Sequence, residues 1–312
     1  MPVRRSVHRV AFRDRSALSR SDGSTGEAQE GNPVPEVDAA TTSAASRSTL
    51  LGVDPKPDHL GETWAAQFAD AEVAAAYQFR PPYPDQAVEH VVALLPHGGG
   101  RILDVGCGTG DLAIPLAARG IAVDAVDPSE SMIRAGRARR GGDASALRWI
   151  VGGIETAPIV PPYALATAAE SLHWTDWPVA LPRLRDALAP GGRLVLLTRE
   201  SLAASWADAL ASLIPRFSTN RAFRRYDLVA ELTARRLFAE EGRVTTAPVE
   251  VHQSVGDYVE SFHSRNGFSR ARMTVEAASE FDAALAAAVE RDSRDGTVAV
   301  TTQCEIVWGR PL

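Results

Sequence analysis

The sequence contains few of the residues on which disulfide frameworks, metal sites and membrane anchors depend. Its 312 residues include only two cysteines, Cys107 and Cys304, which are too few for a disulfide framework or a cysteine-ligated zinc site. No apolar run approaches the roughly 18–20 residues that a membrane-spanning helix needs. We therefore expect a cytoplasmic protein in a reducing compartment, with no bound metal and no membrane segment.

Lysine is also scarce, so nearly all the positive charge is arginine. Lys56 is the only lysine, and the formal net charge is −6. This acidic balance, together with the lack of a recognisable nucleic-acid-binding module, argues against binding to DNA or RNA. Apolar residues make up 45% of the chain, which is enough to bury the core of a large α/β domain. We expect a small molecule as the partner, and a monomer or a homodimer as the assembly.

The first 60 residues are rich in serine, threonine, arginine, glycine and proline and have almost no apolar periodicity. Burial in such a segment does not offset the entropy of ordering it, so we predict a disordered tail over residues 1–60. Arg4 and Arg5 are not followed by the apolar segment of an export signal. An organelle transit peptide is an alternative for this start. Residues 61–312 form the predicted folded domain.

The segment 101–110, RILDVGCGTG, predicts a buried strand followed by a glycine-rich turn. Asp104 stands at the strand end. The turn contains three alternating glycines, Gly106, Gly108 and Gly110. Glycines in alternation let the backbone turn tightly and let a ligand approach the main chain. Because a helical pattern follows at 111–119, the segment indicates a cofactor-binding turn.

The spacing of the glycines separates two cofactor classes. A dinucleotide fingerprint needs its third glycine where Asp111 stands, which disfavours the alternative of a nicotinamide-dependent oxidoreductase. The pattern acid-x-G-x-G-x-G resembles the first motif of class I S-adenosylmethionine-dependent methyltransferases. By that resemblance the glycines lie beneath the amino-acid part of S-adenosylmethionine and Asp104 orients its ammonium group. Cys107 lies within the same loop, as a small spacing residue and not a nucleophile.

The resemblance implies an α/β fold, a Rossmann-like sheet of seven mostly parallel strands. The implied strand order is 3-2-1-4-5-7-6, with strand 7 antiparallel, helices on both faces and a helical lid. A second strand over 121–129 ends in Asp127, whose carboxylate suits both ribose hydroxyls of the cofactor. Asp124 is a rival acid that we expect to be solvated or at an edge. Pro128 and Met132 follow, and Met132 suits either the adenine face or ordinary helix packing.

Strand three is predicted over 147–152, and here the chain departs from the family pattern. Family members often carry an acid for the adenine amino group where this chain has Gly153. Adenine recognition then falls to the main chain near Ile154 or to Glu155.

Strand four is predicted over 163–174, and its end, with Ala169, lies beside the cofactor. We predict His173 as the general base, because its ordinary pKa near 6.5 suits proton transfer at neutral pH. Trp174 and Trp177 are candidates for the acceptor pocket, although either suits a plain core. The Pro-Gly-Gly turn and strand over 190–198 are also typical of the family.

An arm over about 62–95 precedes the glycine strand and contains the segment FRPPYP at 79–84. Three prolines fix this segment as extended. In similar small-molecule methyltransferases such an arm folds over the cofactor. We therefore predict Tyr83 as a cofactor contact and Tyr77 and Arg80 as substrate contacts, the alternative being an arm that only packs the domain edge.

The last third of the sequence predicts helices over 203–214, 222–241, 256–262 and 274–292. It also predicts strands over 245–253 and 297–309. The region of about 254–293 resembles the lid of type-11 methyltransferases near trans-aconitate methyltransferase. By that resemblance His263 and Arg265 contact the acceptor.

The sequence thus supports two functional hypotheses. The first is S-adenosylmethionine-dependent methyl transfer to a small molecule, at oxygen or carbon, by in-line displacement. Positioning of the reacting groups then supplies much of the rate. The alternative is a catalytically idle regulatory module that binds S-adenosylmethionine or S-adenosylhomocysteine.

Overall fold

The glycine turn and the strand before it lie at the centre of a sheet in the computed structural model of the chain. The structure describes residues 56–57, 60–202, 204–224 and 226–312, with only the backbone of Glu62. Most of the predicted tail therefore lies outside the described residues. Residues 56–312 pack as one unit.

Within the described ranges, eight strands form one mixed sheet. They are β1 (Ile102–Val105), β2 (Val123–Asp127), β3 (Leu147–Val151), β4 (Tyr163–Ala169), β5 (Leu188–Ser201), β6 (Phe238–Thr245), β7 (Val249–Ser254) and β8 (Thr297–Pro311). The order is β3-β2-β1-β4-β5-β8-β6, and β7 pairs with another part of β8. The first five strands are parallel, whereas β8 is antiparallel to its three neighbours. The predicted Rossmann-like order is confirmed, with one strand more than the seven expected.

Helices connect these strands and build the arm and the lid. They are α1 (Glu62–Ala65), α2 (Ala71–Ala76), α3 (Asp85–Ala93), α4 (Ala113–Ala118), α5 (Glu130–Ala138), α6 (Trp177–Ala187), α7 (Ala207–Phe217), α8 (Leu228–Ala234), α9 (Val255–Phe262) and α10 (Val275–Glu290). Short 3-10 turns lie at Ala66–Ala69, Tyr77–Phe79, Leu172–Trp174 and Arg270–Arg272. Among the described helices, none combines the length and apolarity that a bilayer crossing requires.

The sheet separates two hydrophobic cores because side chains alternate along each strand. On β1, Leu103 and Val105 pack into a core with the apolar faces of α6 and α8. Ile102 points to the opposite core, which contains the apolar faces of α3 and α4. All four residues of β1 are buried. Burial on both faces explains why β1 is a nearly continuous apolar run interrupted only by Asp104.

Of the predicted helix over 222–241, the structure has only α8, Leu228–Ala234. The helix α8 ends at Ala234 and β6 begins at Phe238. Ala239, Glu240 and Glu241 favour helices by propensity, but pairing with β8 overrides that preference. The register shifts between Glu240 and Gly242. Gly242 leaves room for the ring of Trp308, because a β-carbon at this position would lie 2.4 Å from that ring.

The lid has an aromatic core of its own. Phe262 of α9, Phe281 of α10 and Phe268 between them are all buried. The rings of Phe268 and Phe281 have centroids 4.8 Å apart. This cluster also contains Val298 and Val300 of β8, so the lid is built directly on the sheet.

The arm is tied to the lid by polar contacts. The Arg80 side chain donates from Nε to Ser264 Oγ at 2.8 Å, and the Gly267 N–H donates to Gln67 Oε1 at 3.2 Å. After the proline-rich segment, α3 begins at Asp85. The limits predicted for the tail, arm and lid stay predictions.

One glycine of the motif is needed for packing. A β-carbon on Gly110 would lie 2.7 Å from Cη2 of Trp149, and one on Gly136 of α5 would lie 2.5 Å from the same atom. The indole of Trp149 is held in place because its Nε1 donates to the Gly142 carbonyl at 2.8 Å. The ring therefore fills the space between two glycines.

We predict that Gly110→Ala destabilises the protein more than the matched control Gly120→Ala. Both glycines have left-handed backbones, with φ of +83° and +78°, so both variants lose about 1–2 kcal/mol through backbone strain. Only Gly110 has a close neighbour, whereas nothing lies within 4 Å of a β-carbon on Gly120. Overpacking against Trp149 adds roughly 1–3 kcal/mol. Denaturant unfolding measures both losses, and equal losses contradict the packing role.

Candidate functional site

A cleft enclosing about 1000 Å³, partly open to solvent, lies at the carboxyl ends of β1, β2 and β4. In parallel α/β sheets this edge is where ligands bind. The predicted residues that line it are Tyr77, Arg80, Tyr83, Asp104, Gly106, Cys107, Gly108, Asp127, Pro128, Met132, Ile154, Glu155, Ala169 and Trp174. The structure therefore brings most of the predicted cofactor-binding residues to one place.

The glycine loop forms the floor of the cleft. Gly106 and Gly108 have φ values of +63° and +54°, which L side chains rarely adopt. A β-carbon on Gly108 would point toward open space, with Tyr77 Cε1 3.8 Å away as its nearest neighbour. A side chain at this position would therefore occupy the cleft itself. Gly110 does not line the cleft, and its role is the packing against Trp149 described above.

Asp104 places a carboxyl group beneath this loop. The residue is 1% exposed, and Thr167 Oγ1 of the paired strand β4 donates to Asp104 Oδ1 at 2.7 Å. Burial raises the pKa of Asp104 to about 7, although the Thr167 hydrogen bond acts in the opposite direction. The negative charges of Asp127 and Asp111 raise this pKa further. A cation placed over Asp104 would favour its ionised form.

Asp127 connects the end of β2 to the glycine loop. Its Oδ2 accepts a hydrogen bond from the Gly108 N–H, and its Oδ1 accepts one from the Ser129 N–H, both at 2.8 Å. Burial raises the pKa of Asp127 to about 6, against the effect of these two hydrogen bonds. Each carboxylate oxygen retains capacity for a further donor.

The rival acid Asp124 is occupied elsewhere, away from the residues that line the cleft. Arg148 donates to both of its carboxylate oxygens, at 2.8 and 2.6 Å, and the Tyr163 hydroxyl donates at 2.6 Å. Burial acts to raise the pKa of Asp124, but the hydrogen bonds from Arg148 and Tyr163 lower it overall. The expectation of a solvated acid is wrong, because Asp124 is 4% exposed.

Glu155 fills the space left by Gly153. A β-carbon on Gly153 would lie 2.7 Å from Glu155 Oε2. The other oxygen, Oε1, accepts a hydrogen bond from the Asp176 N–H at 2.8 Å, which fixes the side chain next to the start of α6. The Glu155 carboxylate therefore lies where an acid at position 153 would extend.

Two charged residues of the cleft, Glu170 and Arg199, were not predicted from the sequence. Arg199 Nη2 donates to Glu170 Oε2 at 3.1 Å, and the Tyr83 hydroxyl donates to the same oxygen at 3.3 Å. Burial acts to raise the pKa of Glu170, but the charges of Arg199 and Arg80 lower it overall. Both residues lie near the carboxyl ends of central strands, a signal that the sequence does contain.

Glu170 also has an unusual backbone. Its φ is +54°, a left-handed value that is rare for a residue other than glycine, asparagine or aspartate. Such strain persists where the surroundings determine it, and it concentrates at functional sites. Here the ion pair with Arg199 and the hydrogen bond from Tyr83 hold the carboxylate in the cleft.

Some predicted residues do not reach the cleft. Trp177 is 1% exposed in the core beneath α6, and its Nε1 donates to the Leu172 carbonyl at 2.9 Å. His263 is 2% exposed and lies between the Phe268 carbonyl and Asp282, with both ring nitrogens 2.7 Å from an oxygen. This geometry corrects the predicted substrate contacts, because both side chains have satisfied structural roles.

His173 and Arg265 lie close to the cleft without lining it. The His173 ring has its centroid 4.6 Å from that of Trp174, which does line the cleft. Arg265 lines a neighbouring cavity. The base role of His173 stays a prediction.

Neither cysteine has the environment of a nucleophile. Cys107 and Cys304 are buried free thiols. Burial raises the pKa of the Cys107 thiol well above its ordinary value, and it raises that of Cys304 to about 12. Because the thiolate is the reactive form, Cys107 suits a small spacing residue in the loop. Within the described residues, no group of three or more histidine, cysteine, aspartate or glutamate side chains is placed to hold a metal.

Comparisons with known proteins agree with this geometry. Residues 102–192 match the family described as methyltransferase domain. An uncharacterized methyltransferase of Mycobacterium tuberculosis (strain H37Rv) is 36% identical over 150 residues, which are 46% of this chain and 57% of that protein. A ubiquinone/menaquinone biosynthesis C-methyltransferase of Paracoccus denitrificans is 36% identical over 112 residues, or 33% of this chain and 44% of that protein. The chain spans about half the length of each of these relatives.

A solved structure supports the fold. It is provisionally assigned as a type II methyltransferase from Anaeromyxobacter dehalogenans and superposes with a TM-score of 0.52 at 24% identity. The match covers 74% of this chain and 97% of that one. At this identity the likeness concerns the fold alone.

We predict that Asp104→Asn stabilises the protein at alkaline pH. The folded protein holds the Asp104 proton more tightly than the unfolded chain, because the pKa rises from 3.8 to about 7 on folding. The wild type therefore loses stability as the pH rises from about 4 to about 7, by up to about 4 kcal/mol. Asparagine keeps an acceptor for Thr167 and does not ionise.

Thermal unfolding of both proteins between pH 5 and pH 8.5 measures this effect. The advantage of the variant should grow with pH and level off above pH 7. Asp127 titrates in both proteins, so only the difference between them reports on Asp104. A difference that is independent of pH contradicts the burial of an ionisable carboxyl at this position.

Proposed function

We propose that this chain is a class I methyltransferase and that it methylates a small-molecule acceptor at oxygen or carbon, using S-adenosylmethionine. The observation that carries the proposal is the pairing of an open glycine loop with two buried carboxyl groups, Asp104 and Asp127, at adjacent strand ends. A pyrophosphate would be repelled by these acids, whereas a cationic metabolite with a free ammonium group is attracted to them.

The residues of the cleft fit S-adenosylmethionine in three places. Gly108 leaves the floor open where a side chain would block it. Asp104 offers a carboxyl whose raised pKa would return toward its ordinary value beside an ammonium group. Asp127 retains acceptor capacity on both oxygens, which suits the two hydroxyls of a ribose.

The opposite wall suits the adenine ring. Met132 is 2% exposed and packs with the arm residues Val73 and Ala74. Ile154 and Glu155 line the cleft on the other side. We propose that Glu155, whose carboxylate extends over Gly153, accepts a hydrogen bond from the adenine amino group in place of the missing acid.

S-adenosylmethionine, when bound, supplies a methyl group on a positively charged sulfur. The contribution of the chain is to orient the acceptor and to exclude water. Aromatic rings of the arm and of the segment after β4 build this part of the cleft. The Phe68 ring has its centroid 5.4 Å from that of Trp174 and 6.4 Å from that of Tyr77. Such a wall favours an acceptor with an apolar body.

Binding of S-adenosylhomocysteine tests the cofactor assignment. We expect the purified chain to bind it by calorimetry, and to bind neither NAD nor ATP. Asp127→Ala should weaken the affinity by roughly 1–3 kcal/mol through loss of a buried hydrogen-bond partner. Asp124→Ala is the matched control on the same strand and should leave the affinity unchanged. Binding of NAD with no binding of S-adenosylhomocysteine refutes the proposal.

Turnover on a panel of small-molecule acceptors separates an enzyme from a regulatory module. For an acceptor found in this way, His173→Ala should lower the rate by roughly 10²-fold or more if His173 is the base. Its affinity for S-adenosylhomocysteine should not change. His252→Ala, on the exposed side of β7, serves as the control. An unaltered rate assigns the proton transfer to another group, and binding without any turnover favours the idle module.

A further inference from the structure

A second cavity, partly open to solvent and enclosing about 450 Å³, adjoins the cleft on the side of the lid. It is lined by Arg80, Pro81, Glu170, Arg199, Ser201 and Arg265. Arg80, Glu170 and Arg199 line both cavities. These three side chains therefore form the boundary between the two cavities, so a molecule in the cleft lies next to the second cavity.

Two of the three arginines lie beside carboxylates. Arg199 lies 3.1 Å from Glu170 Oε2, and its Nη1 lies 3.9 Å from Asp111 Oδ2. Arg80 lies 3.9 Å from the same Glu170 oxygen and donates to Ser264 Oγ and to the Ser264 carbonyl. Because Asp111 also pairs with Arg139, these carboxylates do not have negative charge to spare.

Arg265 is the remaining positive charge of this cavity. Within the part of the chain that the structure describes, its guanidinium stacks on the face of the Phe262 ring, 4.0 Å from the centroid, and forms no hydrogen bond or ion pair. Burial lowers the pKa of Arg265 to about 10 and the nearby charges of Arg80 and Arg199 lower it further, whereas the charge of Glu170 acts in the opposite direction. A partly buried cation without an ion-pair partner gains much from an anion that arrives with its own hydrogen-bond acceptors.

We propose that the second cavity binds a carboxylate group of the acceptor, with Arg265 as its main cation and Arg199 beside it. This assignment rests on the proposed methyl transfer and adds the substrate class, a small organic acid. The aromatic rings of the adjoining cleft would hold the apolar body of that acid. Guanidinium groups bind carboxylates through two parallel hydrogen bonds, which fixes the direction of the bound molecule as well as its charge.

The charges favour a carboxylate over a phosphate. A phosphate would bring a second negative charge close to Glu170 in the same cavity, and the repulsion between like charges is strong in a partly buried site. A neutral acceptor would leave Arg265 without an ion-pair partner.

Matched acid and amide pairs test the assignment by direct binding. The probes are benzoate, phenylacetate and cinnamate, each with its neutral amide, titrated by NMR into the full chain with and without S-adenosylhomocysteine. We expect at least one acid to bind ten times more tightly than its amide, and inorganic phosphate to bind more weakly than that acid. Arg265→Gln should remove the preference for the acid and leave the affinity for the amide unchanged.

Two further variants separate charge from structure. Arg265→Lys keeps the charge and should retain part of the preference. Arg291→Gln removes an exposed arginine at the end of α10 and should change nothing. No preference for the acid in any of the three pairs overturns the inference, as does an unchanged preference in Arg265→Gln or equal binding of phosphate.

The methyltransferase proposal and the carboxylate site can be refuted independently of each other. S-adenosylhomocysteine that does not bind the wild type contradicts the methyltransferase proposal, whatever the acids do. If S-adenosylhomocysteine binds while all three acids bind no better than their amides, only the carboxylate site is refuted.

Discussion

The carboxylate of Asp127 holds together the elements from which the cleft is built. It accepts N–H donors from Gly108 in the loop and from Ser129 at the start of α5. Ser129 in turn caps α5 by accepting from the Met132 N–H at 3.2 Å. One buried acid therefore fixes the loop, the helix start and the Met132 side chain that lines the wall. The constraint comes from β2, because Asp127 is the last residue of a fully buried strand.

The two ends of the site are stabilised by ligand charges of opposite sign. At the glycine loop, burial has raised the pKa values of Asp104 and Asp127, so this end is stabilised by positive charge. Near the lid, burial and neighbouring cations have lowered the pKa of Arg265, so that end is stabilised by negative charge. Glu170 and Arg199 lie between them and offset each other. A cationic group at the glycine loop and an anionic group near the lid would each offset the free-energy cost of burying a charged side chain there.

The sequence predicts the glycine half of the site well, because there each role follows from local spacing. The order strand, acid, glycine turn and helix brings Asp104 and Gly108 to the sheet edge by chain connectivity alone. The pair of Glu170 and Arg199 was missed because its members follow different strands and meet only in space. Trp177 and His263 show the converse. Their residue types suit substrate binding, but both have structural hydrogen bonds that the sequence does not reveal. The strand β6 was missed because its pairing with β8 overrides residues of high helix propensity.

The contacts between arm and lid have a consequence for biosynthesis. Arg80 and its partner Ser264 are 184 positions apart, and Gln67 Oε1 accepts from the Gly267 N–H across 200 positions. The arm leaves the ribosome early but finds these partners only after most of the chain has been translated. Closing loops of this size is slow relative to local folding. Until then the nascent chain must keep the polar groups of Arg80 and Gln67 without these partners, and a chaperone that shields the unfinished arm would raise the yield of folded protein.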